Sequence, residues 1–430
     1  MSTRSLTRRT FLGAASGMLA AGYAASHRLA SRSRAAQSKN DRFALGAIGV
    51  GGQGGSIASR AMRFGDIVAV CDVDRQHAEL ARAQFGGKAE IYDDYRKLLQ
   101  RQDIDAVTIG TPDHWHTPIA LAAVRAGKDV YCEKPLTLTI DEGKLLVKTV
   151  QETQRVFQVG TQQRSDERFR QACELVRNGR LGKLQKVTVS LPRSTKTGGP
   201  FDAKPVPETL NWERWQGQAP EHDYSPERCH HDFRWWYEYS GGIMTDWGAH
   251  HMDIAHWAMG VDRSGPKSVQ GRVGDAERKR INDAQRSNSF NTPAEFTVDF
   301  MYPGDVLLEV VLGDEGVLFE GDAGRLYVNR GRIAGKPVEE LAERPLPADA
   351  IKLYQSADHM GNFFDCIKSR ETPISDVVSQ HRSVSACHLA NISLRLGRKL
   401  NWDAAKEEFV GDAEANAMLS QPQRAPYEVT

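Results

Sequence analysis

An α/β fold, opening with a doubly wound parallel sheet, is predicted for this chain by three observations. Short continuous apolar runs at 43–49, 67–72, 105–110, 130–132 and 156–159 alternate with helix-like stretches, the pattern of parallel strands buried on both faces. A glycine-rich turn, Gly49-Val50-Gly51-Gly52-Gln53-Gly54, joins the first run to the first helix. An acid, Asp72, ends the second run. Beyond about residue 163 the rhythm changes, and a second α/β domain with an open, mostly antiparallel sheet is expected.

The elements follow in order. After the strand at 43–49, residues 54–63 read as a helix and 67–72 as a strand. Helical stretches follow near 75–84 and 94–101, then a strand at 105–110. A helix from about Pro118 to Ala126 ends at Gly127, a residue suited to a left-handed helix terminus. A short strand at 130–132 precedes a helix at 140–153 with Thr139 or Asp141 near its N-cap, and 156–159 closes the set. Residues 184–190 then alternate like a half-exposed strand, and 294–300, 306–311 and 316–320 follow with Gly/Asp/Pro turns between them. Helices are expected at 358–369 and 379–396. The division is a leader and linker at 1–40, a nucleotide-binding domain at 41–164 and a substrate and oligomerisation domain at 165–430. An aromatic-rich insertion without clear periodicity occupies about 192–240.

Composition narrows the function classes. Hydrophobic residues are 40% and charged residues 26% of the 430, enough apolar material for a sizeable core. Residues 1–40 hold seven basic residues and no acid, which leaves 49 basic against 55 acidic residues in the body. A mildly acidic body argues against nucleic-acid binding, which needs phosphate neutralisation. Arg8-Arg9 followed by Phe11-Leu12 and a short Ala/Gly-rich run resembles a twin-arginine export signal, so a periplasmic location is expected. No later run is apolar and long enough to span a membrane. The six cysteines have no close CxxC spacing, so a zinc ribbon or redox dithiol is not expected, and Cys71 and Cys132 fall in buried strand-like runs.

The turn at Gly49–Gly54 fits G-x-G-x-x-G in its confirming context, between a strand and a helix. Glycines there let backbone N–H groups approach a pyrophosphate at a helix N-terminus. Asp72, 18 residues after Gly54, suits the ribose hydroxyls of NAD and repels the 2′-phosphate of NADP. Thr111-Pro112-Asp113-His114-Trp115-His116 follows the next strand and faces the same crevice. His116 is the better placed imidazole; His114 serves equally as a helix-capping residue. Glu133-Lys134-Pro135 lies at the same sheet edge, where an ammonium can stabilise an alkoxide as hydride leaves. Its proline could form a cis peptide. In 241–253, helical spacing puts Asp246, His250, Asp253 and Trp257 on one face. Histidine is a natural base near neutral pH, and a carboxylate one turn away can orient it or hold a substrate hydroxyl. An ordinary polar helix and a metal site of Asp246, His250 and Asp253 are the alternatives, although the spacing matches no defined zinc motif, and no metal is expected.

In this order, the glycine fingerprint, Asp72, Glu133-Lys134-Pro135, Gly160-Thr161-Gln162-Gln163-Arg164 and Asp246-x-x-x-His250 resemble the Gfo/Idh/MocA oxidoreductases, across about 43–405. The resemblance implies a Rossmann domain, an oligomer-forming second domain (dimer or tetramer) and an NAD-dependent oxidoreductase acting on CH–OH groups of a sugar or polyol-like substrate. Lys134, Asp246 and His250 are implied as catalytic. Gly49, Gly51, Gly52, Gln53, Gly54, Asp72, Thr111, Pro112, His116, Glu133, Lys134 and Gln162 are implied around the cofactor. The insertion adds Trp235, Trp236 and His231, and the preceding motif Arg164, as substrate contacts; Trp212, Trp215, Tyr237, His230 and Arg234 are further candidates, and the insertion could equally be an oligomer contact or a structural flap. Two rival activities remain open: an NAD-dependent glycosidase that oxidises a sugar transiently, and a non-catalytic sugar- or nucleotide-binding protein.

Overall fold

The computed structural model describes residues 42–430; the expected leader at 1–40 lies outside the described residues. Six strands form the first sheet: β1 Phe43–Ile48, β2 Gly65–Cys71, β3 Glu90–Tyr92, β4 Ala106–Ile109, β5 Asp129–Cys132 and β6 Phe157–Val159. Their order is β3-β2-β1-β4-β5-β6, with parallel pairing in β2/β3, β1/β4, β4/β5 and β5/β6. The order reverses direction between β1 and β4, so a crevice opens beyond the strand C-termini there, the usual ligand position of such sheets. The connecting helices are α1 Gly52–Ala61, α2 Arg75–Gln84, α3 Tyr95–Leu99, α4 Asp113–Arg125 and α5 Ile140–Thr153. Strands β4, β5 and β6 are buried at every position, which explains their unbroken apolar runs. Thr139 caps α5 by accepting from the Glu142 N–H.

One boundary differs from expectation in a way that matters. Helix α4 starts at Asp113, not near Pro118, so His114, Trp115 and His116 occupy a helical first turn and not a loop. Pro118 has no N–H to give the carbonyl four residues back. That carbonyl, of His114, accepts instead from the Gln218 side-chain amide, so the helix tolerates its proline.

The second sheet holds β7 Leu184–Leu191, β8 Ser268–Arg272, β9 Thr297–Met301, β10 Leu307–Leu312, β11 Gly316–Gly321, β12 Gly324–Val328, β13 Ile333–Ala334, β14 Lys399–Asp403 and β15 Glu408–Phe409. Its order is β13-β12-β11-β7-β10-β9-β8-β14-β15. Pairing is antiparallel except between β7 and β10. Alternation is clean: Val187, Val189, Leu308 and Val310 are buried, while Lys186 and Glu309 pair across the other face at 2.9 Å. The buried face is covered by α6 Glu167–Arg177, α8 Gly248–Met259 and α9 Val377–Leu396, with the short α7 Ile243–Asp246 leading into α8. Helix α9 is buried nearly all round, because it fills both cores. Val377 and Val384 pack with the first sheet's cluster, and Ala386, Cys387 and Leu389 with the second's. Asp376 caps it by accepting from the N–H groups of Val378 and Ser379.

The insertion has short helical turns but no regular layer. It crosses the β2 end of the first sheet: Arg75 N donates to Thr209 O (2.8 Å), Asn211 N to Val73 O (2.9 Å) and Arg214 to Asp93 (2.8 Å). The C-terminal residues fasten onto it, with Arg424 N donating to Gln218 O (2.9 Å) and the Tyr427 hydroxyl to Glu213 (2.5 Å). All six cysteines are buried free thiols. No helix among the described residues is long and apolar enough to cross a membrane.

Candidate active site

A cavity of about 490 Å³ runs along the C-terminal edge of the first sheet and ends against α7 and α8. Gly49, Gly51, Gly52 and Gln53 line one wall. Gly49 holds φ +71°, open only to glycine without strain. Gly54 does not line the cavity. A Cβ there would stand 1.8 Å from the Gly49 carbonyl oxygen, so this glycine lets α1 lie against the turn. Asp72 accepts from the N–H of Val50 and of Asp74, both at 2.9 Å, and burial raises its carboxyl pKa despite those bonds. A Cβ on Gly51 would meet the His77 ring at 2.8 Å. The backbone here is bare and close to a carboxylate, as a dinucleotide's ribose and pyrophosphate require.

Thr111, Pro112 and His116 line the middle of the cavity with Gln162. His116 stands between two carbonyl oxygens, of Pro135 (2.6 Å) and Thr111 (2.9 Å), and burial lowers its pKa. His114 is turned away, bound to the Trp215 carbonyl at 2.8 Å, and burial lowers its pKa to about 3. It is an anchoring residue between α4 and the insertion. Gln53 donates to Glu133 at 3.1 Å. Gly160 leaves room for that carboxylate, since a Cβ would stand 2.8 Å from it. The Lys134–Pro135 peptide is cis.

Lys134, from the loop after β5, donates through Nζ to Asp246 Oδ1 (2.5 Å) and to the Asp246 carbonyl (2.9 Å). Burial alone would raise the Asp246 pKa, but the charges of Lys134 and Arg234 beside it hold the carboxyl below its ordinary range. His250 lines the same end, almost fully buried. Burial first, then the charges of Lys134 and Arg330, push its pKa well down, which favours the neutral ring. Asp113 is the reverse case: burial raises its carboxyl pKa to about 7 while Ser240 donates to it at 2.5 Å.

The face predicted for 246–257 forms, but only its first turn reaches the cavity. Asp253 lies seven residues, roughly 10 Å of helix, beyond Asp246. There Arg164 binds it through Nε (2.8 Å) and Nη2 (2.7 Å), with the guanidinium 5.2 Å from the Trp257 ring centroid. Arg164 is therefore a buried structural ion pair and not a substrate contact, and the suggested Asp246–His250–Asp253 metal trio does not assemble. Trp235 and Trp236 also leave the substrate list. Both are buried away from the cavity, and Arg228 stacks over Trp236 at 3.8 Å. The aromatic residues of this aperiodic segment form the core that it needs, and among its tryptophans Trp215 also lines the cavity. His231 does line the cavity, exposed and bound to Asp232 at 2.9 Å. Asp74, His77 and His230 bring one potential ligand atom each within 4.8 Å of one another, at the cavity rim beside Asp72.

Sequence reasoning missed Arg330 and Asp113. Arg330 comes from the β12–β13 turn, far from any motif, and no local signal marks it. Asp113 was visible in the segment after β4, and its place in the first turn of α4 would have been the clue.

Comparison with known proteins agrees with this geometry. Residues 43–161 match the family model described as "Oxidoreductase family, NAD-binding Rossmann fold", and 166–429 match "Oxidoreductase family, C-terminal alpha/beta domain". The chain is 30% identical over 144 residues to inositol 2-dehydrogenase of Salmonella typhimurium (strain LT2), covering 33% of this chain and 40% of that protein. That match therefore spans about two fifths of the relative's length. Similarity to scyllo-inositol 2-dehydrogenase (NAD(+)) of Bacillus subtilis (strain 168) is 25% over 359 residues, 80% of this chain and 91% of that one. In fold it resembles aldose-aldose oxidoreductase from Caulobacter crescentus, solved with glycerol, at TM-score 0.62 and 17% identity over 84% of this chain and 99% of that one. The chain belongs to the Gfo/Idh/MocA oxidoreductase family.

Proposed function

We propose that this protein is an NAD-dependent oxidoreductase moving hydride between nicotinamide and a CH–OH carbon of a sugar or polyol-like substrate. The carrying observation is the Lys134–Asp246 pair beside neutral His250, in the same cavity as the Gly49–Gln53 turn and Asp72. NAD, when bound, supplies the hydride acceptor. Lys134 polarises the substrate oxygen, His250 takes the hydroxyl proton as the C–H bond gives up its electron pair, and Asp246 orients both the lysine and the substrate. The products are a carbonyl compound, reduced nicotinamide and a proton on His250. Asp72 favours NAD over NADP by charge repulsion. The test is isotopic. A substrate deuterated at the reacting carbon delivers deuterium to the nicotinamide ring, seen by NMR; deuterium retained in substrate after complete turnover contradicts the reading.

A second reading is favoured by the insertion and C-terminal residues fastened over the β2 end of the crevice. A cofactor covered there is retained between turnovers, which suits redox-neutral chemistry such as glycoside cleavage through a transient ketone. Release of an aglycone with NAD unchanged at the end identifies it.

Export through the twin-arginine-like leader, to the periplasm, is part of the proposal and is carried by the Arg8-Arg9 pattern. So is a homo-oligomer through the outer face of the second sheet, where half-buried residues alternate along β7 and β10. Reporter fusion to residues 1–40 and light scattering of the purified chain test the two.

A further inference from the structure

Three cations, Lys134, Arg234 and Arg330, line the catalytic end of the cavity, beside the carboxylates Glu133 and Asp246. Asp246 is shared by Lys134, at 2.5 Å, and Arg234, at 3.6 Å. A third cation, Arg330, lines the same end. Among the described residues no carboxylate forms an ion pair with Arg330; the charge of Glu315, 3.2 Å from His251, acts on it first and that of Asp246 second. The guanidinium lies 4.4 Å from the Trp247 ring centroid, half-buried, and burial lowers its pKa.

Arg330 is also held in place before any ligand arrives. Asn329 Oδ1 accepts from the N–H groups of Gly331 and Arg332, both at 2.9 Å, and Asn329 N donates to the Arg332 carbonyl at 2.9 Å. Three hydrogen bonds fix the turn, and the flat fork leaves it toward the cavity against an indole face. A half-buried guanidinium without a carboxylate is unfavourable in the empty protein and strongly favourable once an anion enters. A fork of parallel N–H donors matches a carboxylate in particular.

We propose that the substrate is a sugar acid, a sugar or polyol bearing a carboxylate, and that Arg330 binds that carboxylate. This rests on the dehydrogenase reading above and narrows it. Arg330 is a specificity residue: it holds the end of the substrate away from the reacting carbon, whose hydroxyl lies at Lys134 and His250. Arg234 lines the same cavity, with its charge on Asp246.

The test uses the full chain loaded with NAD. D-Glucuronate and D-galacturonate are compared with D-glucose and D-galactose, which differ at one carbon only, and with glucose 6-phosphate. Calorimetry gives affinities, and the band of reduced nicotinamide gives turnover. A uronate is expected to bind roughly 10- to 100-fold more tightly than its neutral partner. R330M is expected to abolish that ratio and R330K to keep part of it, with NAD affinity and melting temperature as folding controls. Equal or tighter binding of the neutral hexoses overturns the proposal, as does a uronate preference unchanged in R330M. Preference for the sugar phosphate over both uronates overturns the carboxylate assignment. If the uronate preference and its loss in R330M hold while no sugar reduces NAD, the carboxylate site stands and the dehydrogenase reading falls.

Discussion

Lys134 Nζ stands 2.5 Å from Asp246 Oδ1, and this contact ties the loop after β5 to α7, the short helix that leads into α8. Each residue is useless to the other without the fold, since 112 positions separate them. The pair has two consequences. It keeps Asp246 ionised despite burial, and it fixes an ammonium where the crevice of the first sheet meets the second domain. Replacing Lys134 by Met removes the charge and keeps most of the stem. Turnover should fall by roughly 10²- to 10⁴-fold, with NAD affinity measured by fluorescence little changed.

The pH dependence of kcat/KM should report His250. Its pKa lies well below the ordinary histidine value of 6.5, chiefly because it is buried. A base is active when unprotonated, so activity should stay level from pH 8 down past 6.5 and fall only at lower pH. A pH profile of H250N should lack that limb, at a much lower rate. A wild-type limb centred at or above 6.5 contradicts the assignment.

Arg164 is expected to matter for folding and not for substrate. Both Arg164 and Asp253 are almost fully buried. Removing one partner leaves a buried charge unpaired, which costs about 3–5 kcal/mol. R164M should show this loss in denaturant titration, while KM of the remaining folded enzyme stays within about twofold of wild type. A large rise in KM with normal stability reverses the conclusion.

Asp113 links stability to pH. Its carboxyl pKa is raised from 3.8 to about 7 by burial. A raised folded pKa stabilises the fold below the unfolded value and loses that contribution as pH climbs through about 7. Asn mimics the neutral acid and can still accept from Ser240. The melting temperature of D113N relative to wild type should therefore be higher at pH 8 than at pH 4; equal differences at the two values exclude ionisation of Asp113 in this range.

Cofactor choice should reside at Asp72. D72S removes the charge that repels a 2′-phosphate, so the ratio of kcat/KM with NAD to that with NADP should fall at least about tenfold. An unchanged ratio places the discrimination elsewhere on the rim.

Much of this was legible in the sequence because it is local. The glycine turn, Asp72 and the Glu133-Lys134-Pro135 loop each follow a strand, and strand ends in a doubly wound sheet face one crevice. Helical periodicity also put Asp246 and His250 on one face. The same periodicity misled at Asp253 and Trp257, because a face says nothing of how deep along a helix the cavity reaches. At Trp235 and Trp236 composition left a ligand platform and a structural flap equally open, and the segment uses both rings in its own core. Strands β3, β8, β12 and β14 were not anticipated: polar or glycine residues break the apolar run in each, as Gln270, Gly271 and Arg272 do in β8. Arg330 was invisible for the most physical of reasons: its place depends on a turn between two sheet-edge strands whose register only the folded chain sets.

The most direct test follows reduced nicotinamide in mixtures of the full chain, NAD and a panel of monosaccharides, polyols, sugar acids and glycosides. K134M and H250N run alongside, with bound NAD measured in each protein. The account predicts a sustained rise with at least one CH–OH substrate, lost in both variants while both still bind NAD. A rise that persists undiminished in both variants, or wild-type protein that binds NAD and a substrate without hydride passing between them, contradicts it.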